Sequence, residues 1–399
     1  MRILHTSDWH LGRSFHREGM LAHQAVYLDH LLEVVESERV DLVVVSGDIY
    51  DRALPHVDAV LLADDALVRL AASRADVVLT SGNHDSARRL GFSSRLIDAA
   101  GVYIRTDAAT CGVPVLLGDD HGQVAVYGLP YLDPTALTEP WGLPVRSHEA
   151  ALTHAMAGVR RDLAARPAGT RSVVLAHAFV AGAQPSDSER DISVGGVSLV
   201  PTSVFDGVDY AALGHLHGAH TLDDHVRYSG SPLAYSFSEA AHRKGSWLVE
   251  LDGRGLVGAH FLEAPVPRRV SRLRGELESL LTDPALAVHE QSWVEATLTD
   301  TARPSRAMER LRRRFPHTLV LHFESTAPRL GALPALATHA RNDRDIALEF
   351  MTDLRGGPPD DAETTLLYQA VDECCDDTDV DMLFSHDPDE GDAAPEGLF

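Results

Sequence analysis

The chain has 399 residues, 44% hydrophobic and 24% charged, which suits two or three soluble domains, each able to bury its own core. No run of about 18 apolar residues occurs, which excludes a membrane-spanning helix; three cysteines, Cys111, Cys374 and Cys375, exclude a disulfide framework and a zinc knuckle. The net charge is −24, of which −14 falls in residues 356–399, where no Lys or Arg occurs, and −10 in residues 1–355, a poor balance for a stand-alone nucleic-acid binder unless local patches or metal ions make the contact.

Of the 35 basic residues, 34 are Arg and only Lys244 is Lys, a skew that reads as coding bias. The first residues pass straight into a strand pattern with no basic-then-apolar leader, so the cytoplasm is the expected compartment. Residues 2–6 predict a strand. Residues 20–40 predict a helix, with Leu21, Ala25, Leu28, Leu31 and Leu32 at helical spacing. A mostly apolar run at 41–46 ends in Gly47-Asp48. A second helix is expected at 56–72, and a strand at 77–80 ends in Ser81-Gly82-Asn83-His84-Asp85. Runs such as Leu42-Val43-Val44-Val45 suit strands buried on both faces, with helices on either side. Further strands are expected at 102–104, 115–117, 124–127, 173–176, 210–213 and 247–251, and a helix at 147–165. The expected fold class is α/β, a layered sandwich over residues 1–265.

A Pro/Arg linker follows at 265–269. A helix at 274–281, a strand at 292–298, a helix at 304–314 and a strand at 318–322 predict a small second α/β unit. With a loop at 326–343 and a further strand at 346–351, the second domain spans 271–352. Residues 361–374 predict an amphipathic helix. Asp360 and Glu363 have the spacing of a capping box, and Leu366, Leu367, Ala370 and Val371 share a face. The stretch 376–399 is acidic and punctuated by Pro and Gly, and is expected to be a disordered tail.

Five short clusters carry the chemistry: Asp8-Trp9-His10, Gly47-Asp48-Ile49-Tyr50-Asp51, Gly82-Asn83-His84-Asp85, His177, and Gly214-His215-Leu216-His217. Each follows a hydrophobic strand, and ligands of open α/β sheets bind at that edge. Taken singly, each has an ordinary structural explanation as a turn former, cap or packed histidine. Together, in this order, they point to a metal centre. Asp, Asn and His without Cys suit Mn²⁺, Fe²⁺ or Zn²⁺. Asp8 and His10, like His215 and His217, are two residues apart, so an extended chain would turn both side chains of each pair to one face. Glycines at 47, 82 and 214 allow close backbone approach. His5 is expected to be packed in its strand. His220 is a weaker candidate for a role behind the ligands, and the loop 228–232 for touching substrate.

Two dications about 4 Å apart repel by about 17 kcal/mol at an effective dielectric of about 20, so an anion must lie between them, and Asp48 is the best candidate to bridge. Two dications, the Asp8 and Asp48 carboxylates and one hydroxide leave a single positive charge, which matches a phosphodiester. The count does not separate a diester from a monoester.

The order D-x-H, GD-x-x-D, GNHD, H and GH-x-H resembles that of calcineurin-like metallophosphoesterases, a two-sheet sandwich flanked by helices. The segments HTSDWHLGRSF (5–15), SGDIYDRALP (46–55), TSGNHDSARRL (80–90), YAALGHLHGAH (210–220) and YSGSPLAYSFSE (228–239) resemble one branch, the SbcD nuclease subunits of bacterial SbcCD complexes. SRLRGELESLL and RLRRRFPHTLVL resemble that branch's capping domain. The resemblance covers residues 1–325 well and weakens beyond.

It implies one ion held by Asp8, His10, Asp48 and His217, and a second held by Asp48, Asn83, His177 and His215. His84 would be the catalytic histidine, with Asp85 orienting its imidazole. It further implies Mn²⁺, 3′-to-5′ exonuclease action on duplex DNA, endonuclease action on hairpins and single strands, an SbcC-type ATPase partner, and a homodimer within a heterotetramer acting in DNA repair and recombination. No Walker A pattern occurs, so ATP chemistry would belong to the partner. The 361–374 helix is a candidate docking element for that partner, with intramolecular packing the equal alternative. Arg88-Arg89, Arg268-Arg269 and Arg312-Arg313-Arg314 can contact phosphates or simply face solvent. The competing functions are a phosphoesterase for cyclic nucleotides or phosphomonoesters, and a DNA-end tether with a structural metal site.

Overall fold

The computed structural model describes residues 1–190, 192, 199–325, 342–355 and 357–375. Residue contacts divide the chain into two compact units, Met1–Ala327 and Pro328–Phe399.

Two six-stranded sheets build most of the first unit. One runs in the order Gly255–Glu263, Gly245–Asp252, Arg2–Thr6, Leu42–Ser46, Asp76–Thr80, Val102–Arg105. From Arg2–Thr6 onward its pairs are parallel, with Thr6 opposite Val45 and Ser46 opposite Thr80. The other runs His220–Asp223, Val226–Tyr228, Tyr210–Gly214, Arg171–His177, Gly122–Gly128, Val115–Asp119, with Gly214 opposite His177 in a parallel pair.

Strand alternation sorts the core into layers. Ile3, Leu42, Val44, Val78, Val126, Val173, Leu175 and Ala212 pack between the sheets. From the opposite faces, Val43, Val45, Val77 and Leu79 meet Leu28, Leu31, Val35, Ala63 and Leu70 of the helices Leu21–Ser37 and Val57–Ala71. Tyr127, Val174, Ala176 and Ala211 meet Leu152, Met156 and Val159 of the helix His148–Ala164. This is a helix–sheet–sheet–helix sandwich, and burial on both faces explains the unbroken apolar runs.

A parallel three-stranded sheet follows, Val270–Gly275, Trp293–Leu298 and Thr318–Phe323. Its own core holds Leu273, Leu277, Leu280, Val294, Leu311 and Phe315. The first of these strands was not expected: it begins just after the linker and runs into the expected start of the helix at 274–281, which begins only at Leu277. Phe15, Tyr235 and Phe237 pack with Val270 and Trp293, so segments 5–15 and 228–239 join this sheet to the sandwich.

In the second unit, residues 346–351 are helical, not a strand, inside the helix Asp343–Arg355. Asn342 Oδ1 accepts from the Arg344 amide, and Asp343 and Asp345 sit favourably in the first turn. The helix Asp361–Cys375 forms as expected, with a capping box: Asp360 Oδ1 accepts from the Glu363 amide at 2.9 Å, and Glu363 Oε2 from the Asp360 amide at 3.1 Å. Arg344 pairs with Asp372 and lies over Tyr368, joining these two helices. The stretch 376–399 lies outside the described residues, as does most of the loop expected at 326–343.

Candidate metal centre

The strand ends bring all five clusters together. Parallel pairing places the turns after Thr6, Ser46 and Thr80 side by side, and the ends of Arg171–His177 and Tyr210–Gly214 meet them from the second sheet. The Asp8 amide donates to Gly47 O (3.1 Å) and the His10 amide to Asp48 O (3.0 Å). Nine non-glycine residues among those described have positive φ, and four of them are Asp8 (53°), His10 (47°), Asp48 (50°) and His215 (104°). Each such backbone costs about 1–3 kcal/mol, and the strain gathers where the polar side chains converge. The glycines expected to allow close approach do so. A Cβ at Gly47 would collide with His177, one at Gly82 with Asp48, and one at Gly214 with the Ser46 carbonyl.

Asp8, His10, Asp48, His84, His177, His215 and His217 are buried, and Asn83 is half-buried. Asp48 Oδ2 lies 3.6 Å from His10 Nε2 and 3.4 Å from His177 Nε2, while its Oδ1 accepts from the His84 amide at 2.8 Å. His10 Nε2 faces His217 Nε2 at 3.1 Å. Asn83 Oδ1 lies 2.9 Å from His177 Nε2 and 3.3 Å from His215 Nδ1. Asp8 accepts from the His215 amide through both oxygens, at 3.0 and 3.1 Å.

The two-residue spacings act differently from the expectation of an extended chain. His215 meets Asn83 while His217 meets His10, so this pair divides between two sides of Asp48. Asp8 and His10 do converge, with His217, but through left-handed backbone.

Charge in the cluster is unevenly held. Burial pushes Asp8 up to about 6 and drives His10 and His215 well below the usual histidine range. Burial opposes ionisation of Asp48 too, yet His177, His10 and His84 hold it well below the carboxylate range. Against its own burial, His177 is raised to about 9 by Asp48 and Asp8. Its Nδ1 donates to Ser46 O at 2.9 Å.

The donor set fits divalent ions. Potential ligand atoms of Asp8, His10 and His217 lie within 4.8 Å of one another, as do those of Asp8, Asp48 and His177, and those of His10, Asp48 and His84. Buried His10 Nδ1 has no hydrogen-bond partner; its neighbour is Asp51 Oδ1, 3.7 Å away. Two imidazole nitrogens facing each other at 3.1 Å and carboxylate oxygens with unshared lone pairs suit a cation between them.

His84 Nδ1 donates to the Asp51 carbonyl at 2.8 Å, and its ring packs edge-on to His10, 4.6 Å between centroids. Asp85 does not make the orienting contact expected of it. Its carboxylate accepts from the Ile49 (3.1 Å), Tyr50 (2.9 Å) and Gly82 (3.0 Å) amides, tying the second cluster to the third. Burial and Asp48 push it up to about 7. His5 is packed as expected, between Tyr210 Oη (2.8 Å) and Leu213 O (3.1 Å). His220 lies edge-on to Tyr228 and, among the described residues, bonds to no member of the cluster. In the loop after Tyr228, Ser229 Oγ lies 2.7 Å from Ser7 Oγ, which donates to Asp8 Oδ2 at 2.5 Å.

Sequence reasoning missed the residues behind His217. Its amide donates to Glu189 Oε1 at 2.7 Å. Its Nδ1 lies 2.6 Å from Ser188 Oγ and 3.3 Å from Glu239 Oε1. Glu239 in turn pairs with Lys244 at 2.5 Å. The one available signal was the solitary lysine.

Comparison with known proteins gives two family matches. The profile described as calcineurin-like phosphoesterase matches residues 1–219. The SbcD_C profile, described as a type 5 capsule protein repressor C-terminal domain, matches residues 266–351. Among solved structures, a dimetal phosphatase from Danio rerio is 16% identical, covering 66% of this chain and 99% of that one, with a TM-score of 0.40. TT1561 of Thermus thermophilus is 12% identical, over 65% and 98%, with a TM-score of 0.36. GAP50, the anchor in the inner membrane complex of Plasmodium, is 12% identical, over 84% and 99%, with a TM-score of 0.36. By a match spanning more than half its length, the chain belongs to the calcineurin-like phosphoesterases, metal-dependent phosphoester hydrolases that bind two divalent ions.

Proposed function

We propose that this chain is the nuclease subunit of an SbcCD-type complex. It degrades duplex DNA from 3′ ends and cuts hairpins and single strands with two Mn²⁺ ions, alongside an SbcC-type ATPase, in DNA repair and recombination in the cytoplasm. The observation that carries this is one chain matching both the phosphoesterase profile at 1–219 and SbcD_C at 266–351. Small-substrate hydrolysis needs no such additional domain.

Asp8, His10, Asp48 and His217 would hold one ion; Asp48, Asn83, His177 and His215 the other. Bound divalent ions supply Lewis acidity and an activated water near neutral pH. The chain supplies the rest. Asp48 offers its charge to both sides. The Asp51 carbonyl fixes the His84 ring by its Nδ1–H, and in the doubly protonated ring, which burial opposes and Asp48 and Asp51 favour, Nε2–H would stabilise or protonate the departing 3′ oxygen. Asp85 is a positioning residue that holds the loops of Asp48 and Asn83 together through three amides.

Exposed apolar side chains support the partners. Val57, Leu61 and Val68, exposed on the helix Val57–Ala71, suit a homodimer face. Ile346, Phe350 and Leu366 suit docking of the ATPase. No helix among the described residues is long and apolar enough to cross a membrane.

The test is cleavage of a DNA hairpin with Mn²⁺ beside cyclic AMP and a generic phosphomonoester. Hairpin cutting is expected. Hydrolysis of the small substrates with the hairpin intact would replace this function by that of a small-molecule phosphoesterase.

A further inference from the structure

Lys244 is the only lysine in a chain with 34 arginines. Its side chain is 2% exposed. Its three ammonium hydrogens have three acceptors: Glu239 Oε2 at 2.5 Å, Ser231 Oγ at 2.9 Å and His217 O at 2.9 Å. Arginine brings five donors in a planar fork and does not match three acceptors around one enclosed point.

The pair leads to the metal centre. A carboxylate beside an ammonium stays ionised and can only accept hydrogen bonds. Ser188 Oγ lies 2.5 Å from Glu239 Oε1, so Ser188 donates its hydroxyl hydrogen there. The same oxygen lies 2.6 Å from His217 Nδ1 and, its hydrogen committed, must accept from that nitrogen. The hydrogen on Nδ1 leaves Nε2 with a free lone pair, facing His10 Nε2. Lys244 also grips the His217 carbonyl, so ring and backbone of one residue are held together. His177 has no such arrangement; its Nδ1 donates to the Ser46 carbonyl.

We propose that Lys244 and Glu239 form a buried positioning pair that acts through the Ser188 hydroxyl. It fixes His217 as the Nδ1–H tautomer, with Nε2 presented to one of the two metal positions. This rests on the preceding assignment of His217 as a ligand. Groups behind a metal-bound histidine are worth about 10–100-fold in metal affinity.

The test uses the full chain. Calorimetric Mn²⁺ titration of wild type, Ser188→Ala, Ser188→Thr, Glu239→Gln and Lys244→Arg is paired with melting curves taken without metal. Wild type is expected to bind two ions. Ser188→Ala, Glu239→Gln and Lys244→Arg should each weaken one ion at least tenfold and spare the other, and Ser188→Thr should restore the affinity that Ser188→Ala loses. If the charge-pair variants do not fold, Ser188→Ala decides, since it removes only a hydroxyl. Nitrogen-15 spectra of histidine-labelled wild type, assigned with His217→Gln, should show His217 protonated at Nδ1. Protonation at Nε2, or a folded Ser188→Ala protein that binds both ions as wild type does, overturns the inference. A wild type that binds no Mn²⁺ sinks the metal assignment itself, while the tautomer still judges the positioning pair.

Discussion

Removing Asp48 should abolish the stabilisation that Mn²⁺ gives the protein, whereas removing Asn83 should halve it. Asp48 Oδ2 stands between His10 and His177 at 3.6 and 3.4 Å, so its loss affects both proposed positions. Among the described residues, the Asn83 side chain bonds to His177 and His215. An ion that binds the folded state alone adds about 2.7 kcal/mol at a concentration about 100 times its Kd. Unfolding entropy of about 2.1 cal/mol/K per residue, taken over the unit Met1–Ala327, converts that to a Tm rise of about 4 °C per ion. Both ions together give about 8 °C. A 100-fold weaker Kd leaves about 0.6 °C per ion. Differential scanning calorimetry with Mn²⁺ and with chelator should thus show increments of about 8 °C for wild type, about 4–5 °C for Asn83→Ala and no more than about 1–1.5 °C for Asp48→Ala. Each increment is read against the variant's own metal-free Tm. An increment of about 4 °C kept by Asp48→Ala would refute the shared carboxylate.

Three further outcomes are expected. His84→Ala should lower kcat by about 10²–10⁴-fold while leaving the calorimetric metal increment unchanged; loss of metal binding would make His84 a ligand. Asp85→Ala leaves three amides without their acceptor and should destabilise the protein by about 3 kcal/mol or more, measured by urea denaturation; a change under about 0.5 kcal/mol would mean the loops hold without it. Asp119 pairs with buried Arg171 at 2.6 Å and with the N-terminal amine at 2.8 Å, and the Arg171 guanidinium holds its carboxyl below the usual carboxylate range. A depressed native pKa stabilises the fold above the unfolded value of about 3.9 and loses that contribution as pH falls below it. Asp119→Ala should therefore cost about 3–5 kcal/mol at pH 7 and less in acid; an equal cost at both pH values would contradict the ion pair.

The sequence made the strands and strand ends of the sandwich legible because parallel strands buried on both faces write themselves as apolar runs followed by polar turns. Residues 346–351 misled because Ile346, Leu348, Phe350 and Met351 satisfy strand and helix periods alike over so short a span. The strand Val270–Gly275 was hidden by Arg272 and Arg274, which are exposed and alternate with buried Ser271 and Leu273. Two-residue spacing named the right side chains at 8, 10, 215 and 217 but not their partners, because left-handed φ re-aims them. Glu239, Lys244 and Ser188 were out of reach, since their contacts with His217 span 22, 27 and 29 positions. Asp51 lay within a recognised cluster, yet the atom that meets His84 is its backbone carbonyl, which no residue identity specifies.

Nuclease activity of the purified chain tests the central claim most directly. A blunt duplex and a hairpin are incubated with Mn²⁺, with Mg²⁺ and with chelator, beside Asp48→Ala. Mn²⁺-dependent cutting that disappears with chelator and in Asp48→Ala is the predicted result. Intact DNA in the presence of Mn²⁺ and an SbcC-type ATPase with ATP, from a chain shown to bind both ions, would contradict it.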